Sequence, residues 1–366
     1  MTNSKYHNKR TSLRAPSLRT IGSQPPVLAA EIEWGEAYEA LLALAMFTGD
    51  ESEDSYDVGR DWFVRARRSA SPSLKAAIKK LVGRTGPRWF LLLGLVHEVG
   101  GQRDVASLLA HLRKTPARDV LLALLGGHLP RLRLEEGRRL VAQALAGNLN
   151  AAAEVAARSM PAERRTVEQL SGLGPASAKA LTLEVLERWD DEVFAVGRDK
   201  WSALLQADAL ATQQVSTRLT LQELIDHATH GIRYEGEAGI DRVLLVPSLV
   251  SRPWIVICEW DSTKIFCYPG KPGVAAGGEQ QREMIRIYRA LGDETRLRIL
   301  REVAGGDRRI ADLAHSLGLA KSTIHSHLAI LRAAGLVRLS IGAEKRFELR
   351  KGRPDLNQLL DEYLGR

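Results

Sequence analysis

The chain has 366 residues, enough for two or three domains with separate hydrophobic cores. Its two cysteines, Cys258 and Cys267, cannot build a disulfide framework, and its apolar runs are too short to cross a bilayer. The formal net charge is +8, and residues 280–366 alone carry 17 basic and 11 acidic side chains. These features exclude a disulfide-rich secreted domain and a membrane protein, and they predict a cytoplasmic location with an anionic partner for the C-terminal region.

Residues 1–26 are polar and contain five basic side chains and no acidic one. No apolar segment follows the positive charges, so the segment lacks the pattern of a secretory signal. We predict a disordered basic tail over residues 1–26.

Residues 27–268 are predicted to form one mostly helical domain that ends in a small β element. Helical periodicity recurs from about residue 31 to 230, as in Leu74, Ile78 and Leu81, which follow the helix-starting Pro72. Runs of β-branched residues then predict two or three strands at 242–250, 254–259 and 264–268. Pro247 should place its strand at an edge or at a bulge. Residues 269–279 are rich in Gly and Pro, which predicts a linker before the last domain, 280–366.

The C-terminal elements follow one another in a distinct order. Residues 310–317 have the pattern of a short amphipathic helix, Gly318 predicts a tight turn, and residues 320–334 predict a second helix that ends at Gly335. Two strand-like runs, 336–341 and 346–350, flank a short loop. This order predicts a helix-turn-helix followed by a β-hairpin wing, and hence a mainly α chain with a winged helix-turn-helix at its end.

Residues from about 280 to 364 resemble the ArsR (arsenic-repressor) type of winged helix-turn-helix regulator. The resemblance is carried by ALGDETRLRIL at 290–300, by Ser322-Thr323-Ile324 and by HLAILRAAGLV at 327–337. It implies a sequence-specific DNA-binding transcriptional regulator, a repressor, that works without enzymatic activity. It also implies a homodimer, formed by helices near 282–291 and 356–364, that binds double-stranded DNA at a near-palindromic operator. The upstream domain lies outside the resemblance; it would sense a signal, such as a small-molecule effector of unknown identity, or extend the dimer.

The residues expected to meet DNA lie on the second helix of the motif and around it. Ile324, Leu328 and Leu331 recur at core-facing spacing, which leaves a polar outward face that can enter the major groove. The predicted contacts on this face are Lys321, Ser322, Thr323, His325 and Ser326. Arg338, Lys345 and Arg346 of the wing, with Arg308 and Arg309 before the first helix, are predicted to contact phosphates or the groove. The same pattern would also suit a winged helix that binds another protein.

Metal binding is not expected. The thiolate site of the family would place cysteines where this chain has Arg309 and Ala311. Of the pair His325 and His327, the second borders the apolar face of its helix, which favours a packed or capping histidine. The helical pair His227 and His230 has no third ligand nearby in the sequence. The sequence therefore predicts no metal and no cofactor.

Two other functions are compatible with the sequence. The segment from Gly172 to Pro175 resembles a helix-hairpin-helix turn, whose backbone N–H groups could hold a DNA phosphate in a nucleic-acid processing factor. Residues 27–268 could instead be an enzyme fused to a DNA-binding tail, which would require a pocket of convergent titratable groups. We found no recognisable catalytic arrangement of Ser, His, Asp or Cys in the sequence, so the prediction is that the chain is not an enzyme.

Overall fold

A computed structural model describes residues 29–83, 86–159, 161–271, 279–351 and 355–364. The described chain is mainly helical and ends in a helix-turn-helix region, which confirms the predicted fold class. The predicted tail, 1–26, lies outside the described residues, as does most of the predicted linker. Among the described helices, none has the length and apolar composition needed to cross a membrane.

The region upstream of the linker, here called the body, is built from twelve described α-helices. They are α1 (Glu36–Thr48), α2 (Arg60–Ser69), α3 (Pro72–Val82), α4 (Leu93–His97), α5 (Val105–Lys114), α6 (Ala117–Leu125), α7 (Pro130–Arg133), α8 (Glu135–Leu145), α9 (Leu149–Ser159), α10 (Arg164–Trp189), α11 (Arg198–Ser216) and α12 (Leu221–Thr229). The region from residue 279 onward, here called the module, contains α13 (Glu279–Leu291), α14 (Glu294–Ala304), α15 (Ile310–Leu317), α16 (Lys321–Ala333) and α17 (Leu356–Leu364).

Seven described strands form two sheets. They are β1 (Ala29–Ile32), β2 (Ile232–Tyr234), β3 (Arg242–Ser248), β4 (Val256–Trp260), β5 (Thr263–Pro269), β6 (Val337–Ile341) and β7 (Lys345–Leu349). The body sheet has the order β1-β3-β5-β4, with β4 antiparallel to β5 and the other neighbours parallel. The module sheet has the order β2-β6-β7. The strands β3, β4 and β5 match the three predicted β runs, whereas β1 and β2 were not predicted.

Pro247 lies in a central strand, contrary to the expectation of an edge strand or a bulge. The N–H of Glu33 donates to Leu245 O at 3.0 Å, so residue 245 and, two positions on, Pro247 turn toward β1. The pairing of β1 with β3 ends at Leu245. A backbone N–H at position 247 would therefore point past the end of β1. Because no β1 residue lies there to accept it, the proline removes no hydrogen bond between the two strands.

One hydrophobic core lies within the body, between its helices and one face of the sheet. It contains Trp89 and Trp189, both fully buried, and the side chains of Leu244, Val246 and Ile265 from the sheet. Because successive side chains of a strand point to opposite faces, the alternate residues of β3 and β5 are left for a different partner.

A second core joins the body to the module. Val243 and Leu245, on the other face of the sheet, share it with Ile225 of α12 and with Ile324 and Leu328 of α16. The predicted domain boundary lies at the Gly/Pro-rich run 269–279. The second core nevertheless contains residues from both sides of this boundary.

The module sheet also crosses the predicted boundary. β2 pairs in parallel with β6, in the register Ile232 to Leu339 and Tyr234 to Ile341. Ile232 and Ile341 are fully buried. The outer edge of the wing hairpin is thus completed by a strand that lies about a hundred residues upstream in the chain.

Candidate nucleic-acid interface

The turn between α15 and α16 depends on a glycine. Gly318 ends α15 with a φ of 67°, in the left-handed region that glycine tolerates, and its N–H reaches the carbonyl oxygens of Ala314 and His315. The N–H of Leu319 donates to Ala314 O at 3.0 Å. The chain therefore reverses within a few residues, and α16 begins at Lys321. The predicted helix-turn-helix is confirmed.

α16 has no side-chain cap at its start. Ala320 occupies the N-cap position and supplies no hydrogen-bonding group. A Ser or Asp there would stabilise the helix by roughly 1 kcal/mol. The N–H groups in the first turn of α16 therefore have no side-chain acceptor at residue 320. Such N–H groups can donate hydrogen bonds to a phosphate.

α16 has an apolar and a polar face. Ile324, Leu328 and Leu331 are fully buried in the second core, as their spacing predicted. The five predicted contacts on this helix are all exposed: Lys321, Ser322, Thr323, His325 and Ser326. The hydroxyl of Ser326 donates to Ser322 O at 3.1 Å, so toward a base edge it acts as an acceptor.

His325 is neutral at pH 7. Although the side chain reaches solvent, crowding by neighbouring atoms lowers its pKa below the usual range, and the positive charges of Arg332 and Lys345 lower it further. A neutral imidazole offers one donor and one acceptor, which allows it to read a base edge.

Two of the predicted arginines are held in exposed ion pairs near the wing. Arg346 pairs with Asp307 at 2.9 Å and with Glu344 at 3.0 Å. Arg309 pairs with Asp312 at 2.9 Å and with Glu344 at 3.2 Å. Exposed pairs contribute only about 0–1 kcal/mol each, so a DNA phosphate can replace the carboxylates.

Arg308 and Lys345 lie at the base and near the tip of the wing. The backbone of Arg308 exchanges two hydrogen bonds of 2.8 Å with Phe347 of β7, which ties the segment before α15 to the hairpin. Lys345 is exposed, yet the surrounding atoms and then the charge of Lys264 in the body lower its pKa. The N–H of Glu235 in the body donates to Ile341 O at 2.7 Å, so the wing lies close to the body.

Arg338 has a structural partner in the body. It is half-buried, and its guanidinium lies 3.1 Å from Asp226 of α12 and 3.8 Å from Glu348 of β7. Its predicted contact with DNA would require it to leave Asp226. The structure thus gives Arg338 a second role, which is to fasten α12 to the wing.

His327 of the module lies near a structural carboxylate. Nδ1 of His327 is 3.9 Å from Asp293, the residue that caps α14 by accepting the N–H of Arg296 at 2.9 Å. In the body, His230 ends α12 with a φ of 51° and reaches solvent, yet crowding by neighbouring atoms lowers its pKa to about 4. The position of His327 fits a packed histidine, and the absence of a metal stays a prediction.

The described residues place a cluster of titratable groups in the body, at the end of β1. Ligand atoms of Glu31, Glu33 and His97 lie within 4.8 Å of one another. Both oxygens of Glu33 are already engaged, one by Arg103 at 2.7 Å and by His97 at 3.1 Å, the other by the hydroxyl of Tyr38 at 2.7 Å. Burial and Glu33 raise the pKa of Tyr38, which keeps this phenol a donor. The arrangement is that of a satisfied structural carboxylate.

The segment that resembles a helix-hairpin-helix turn is a break inside α10. Gly174 has a φ of 73° and a ψ of 164°, and helix continues on both sides of it. Ser171, before the break, is buried. The ammonium of Lys179, after it, donates to the carbonyl oxygens of Arg113 and Thr115 at 2.7 Å each. Lys179, the basic residue nearest this turn in the sequence, is therefore bound within the protein.

A contact between an acidic segment and the module was not predicted. Residues 50–57 contain five acidic side chains. In the structure Asp57 forms an ion pair of 2.8 Å with Arg286 of α13. The signal that could have found this contact was the opposite charge of the two regions, although charge alone does not assign a partner.

Comparison with known proteins places the motif in a family. The model of a family described as "Bacterial regulatory protein, arsR family" matches residues 293–338, from the cap of α14 to the start of β6. No curated protein matches the chain. The chain therefore carries an ArsR-type helix-turn-helix near its C-terminus.

Proposed function

We propose that the chain is a sequence-specific, DNA-binding transcriptional repressor that acts in the cytoplasm as a homodimer. The observation that carries the proposal is the outward face of α16, where neutral hydrogen-bonding side chains lie beside the basic wing on an ArsR-type motif. Neutral donors and acceptors suit base edges, and wing arginines in weak pairs suit phosphates. The body serves as the sensor or as an additional dimer contact.

The two alternatives have weaker support. Glu33 is the centre of the titratable cluster in the body, and both of its oxygens accept hydrogen bonds from the protein's own donors. Lys179 is likewise occupied beside the turn at Gly174. In a regulator that is not an enzyme, the cluster around Glu33 and the turn at Gly174 would both have structural roles.

Exposed apolar side chains on α13 and α17 support a dimer. The two helices contact each other, and the hydroxyl of Tyr288 donates to Leu356 O at 3.4 Å. The two helices expose large hydrophobic groups: Tyr288, Leu360, Tyr363 and Leu364. Several exposed apolar groups on two contacting helices are typical of an interface. A two-fold dimer through it would present two α16 helices to a near-palindromic site.

We expect Leu360→Glu combined with Tyr363→Glu to convert the dimer to monomers and to weaken operator binding at least about tenfold. The charges would face each other across a two-fold interface, where burying them is costly. Sedimentation of the two forms and DNA affinity at fixed salt would measure this. Leu149→Glu is the matched control, since Leu149 is 53 % exposed on α9. A double variant that stays dimeric would contradict the assignment of the interface.

Mapping of the DNA bound by the chain in its own cells tests the proposed function. We expect a small number of discrete peaks that share a near-palindromic sequence. Expression of the adjacent genes should rise when the chain is deleted, because the chain is proposed to be a repressor. A profile without discrete peaks would contradict sequence-specific regulation, and reduced expression after deletion would point to an activator.

A further inference from the structure

A cleft lies between the body and the module. Its volume is about 460 Å³, within the usual range for small-molecule sites. On the body side it is lined by residues 54–57, Gly59, Pro253 and Trp254. On the module side it is lined by α13, by Arg296 of α14, and by Ile330 and Ala333 of α16.

The cleft has an excess of positive charge. Four arginines line it, Arg282, Arg286, Arg289 and Arg296, against two acids, Asp54 and Asp57. Asp57 is already shared between Arg286, at 2.8 Å, and Arg252 of the body, at 3.2 Å. The net charge of the lining is therefore positive, and one of its two carboxylates is already paired.

Two of the four arginines have no ion pair among the described residues. Arg282 and Arg289 are seven positions apart on α13, so they lie on one face of the helix, and both are exposed. The guanidinium of Arg296, by contrast, donates to the carbonyl oxygens of Ala290 and Arg289 at 2.6 and 2.8 Å. Arg282 and Arg289 thus offer fork-shaped donors suited to a carboxylate or a phosphate.

The rest of the lining is apolar and partly aromatic. Trp254 and Pro253 are half-buried on the body side, and Ile330 and Ala333 are half-buried opposite them. Nε1 of Trp254 is 3.3 Å from the hydroxyl of Ser55, which orients the indole. A flat apolar group could pack between these surfaces while its charged end meets the arginines.

We propose that this cleft binds a small organic anion, a carboxylate or phosphate carried on a planar apolar body, and that this ligand is the effector of the regulator. Ile330 and Ala333 belong to α16, the same helix that exposes Ser322 and His325. A ligand held between these two residues and the body fixes the body against α16. The bound ligand therefore lowers the affinity of the chain for DNA, a consequence that rests on the proposed function.

The binding part is tested on the full chain without DNA. Three probes share one ring system: 1-naphthoate, 1-naphthyl phosphate and the neutral 1-naphthamide. We expect one site per chain, by titration calorimetry, with one or both anions binding at least about tenfold more tightly than the amide, a difference of about 1.4 kcal/mol. Which anion binds more tightly distinguishes a carboxylate ligand from a phosphate ligand.

Variants assign the site. Arg282→Gln with Arg289→Gln should weaken binding of the preferred anion at least about tenfold. Arg298→Gln with Arg301→Gln, two exposed arginines of α14 outside the cleft lining, makes the same charge change and should leave binding unaltered. Equal binding of anion and amide, equal loss in both double variants, or no saturable anion binding below about 10 mM would overturn the proposal.

The regulatory part has a separate readout. Saturating anion should lower the DNA affinity of the wild-type chain, and saturating DNA should lower the anion affinity by the same factor, because coupling is reciprocal. Anion binding with unchanged DNA affinity would overturn the effector role and leave the site. A chain that binds the anion but no DNA sequence selectively would overturn the proposed function instead.

Discussion

A fragment comprising residues 280–366 is expected to lose cooperative thermal unfolding and selective DNA binding, although it contains the whole helix-turn-helix and wing. The fragment lacks β2 and α12, so the outer edge of β6 is left unpaired. Val337, Leu339 and Ile341 of β6 are almost fully buried in the intact chain. Full exposure of one such side chain costs about 1.5–3 kcal/mol, so even partial exposure of three is large beside the roughly 4–13 kcal/mol of stability expected for a domain of this length.

A longer fragment is the matched control for this expectation. Residues 217–366 retain α12, β2 and the face of β3 and β5 that belongs to the second core. This fragment should recover a cooperative transition by circular dichroism and at least part of the DNA affinity. A cooperative, selectively binding fragment 280–366 would contradict the prediction, and it would mean that the shared core is dispensable for the module.

The helices and turns that were predicted correctly are those whose structure is determined by residues close together in the sequence. Gly318 ends a helix through its own φ, and the spacing of Ile324, Leu328 and Leu331 is fixed by helical geometry. β1 and β2 were missed because a strand of four or three residues carries almost no periodicity of its own. Such strands form because the partner strand is present, and a partner that is distant in sequence leaves no local pattern.

The candidate site was also predictable only in part. The exposure of Ser322 and His325 followed from the pattern of α16. The ion pair between Arg338 and Asp226 did not, since it depends on how α12 docks against the wing. The same holds for Arg286 and Asp57, which meet across the cleft. Tertiary packing decides which cations of a basic region are free, and composition reports only their number.

The reading helix and the wing should respond differently to substitution. We expect Ser322→Ala and His325→Ala each to reduce discrimination between the operator and a mismatched site by roughly 1–3 kcal/mol. This is the free energy that one good hydrogen-bonded contact to a base edge contributes to discrimination. The slope of log affinity against log salt should stay nearly unchanged, because both side chains are neutral at pH 7 and release no counterion. Competition binding at several salt concentrations provides both quantities.

Protonation of His325 adds a pH dependence to this comparison. Its pKa is lowered by the crowding of neighbouring atoms and by the charges of Arg332 and Lys345. In the wild-type chain His325 therefore stays neutral at pH values where an ordinary histidine would begin to charge. The salt slope should steepen only when the pH falls below that lowered pKa. The steepening should vanish in His325→Ala, and a steepening that remains would assign it to another group.

Arg346→Ala should have the opposite signature. If Arg346 exchanges Asp307 and Glu344 for a DNA phosphate, its removal weakens binding to every sequence about equally and lowers the salt slope by roughly one unit. Arg139→Ala in α8 is the matched control, since Arg139 is exposed and pairs only with Glu135 among the described residues. Loss of discrimination in Arg346→Ala, together with a uniform loss of affinity in Ser322→Ala and His325→Ala, would reverse the roles of the two elements. In that case the wing would enter the groove and contact base edges, while α16 would lie along the phosphate backbone.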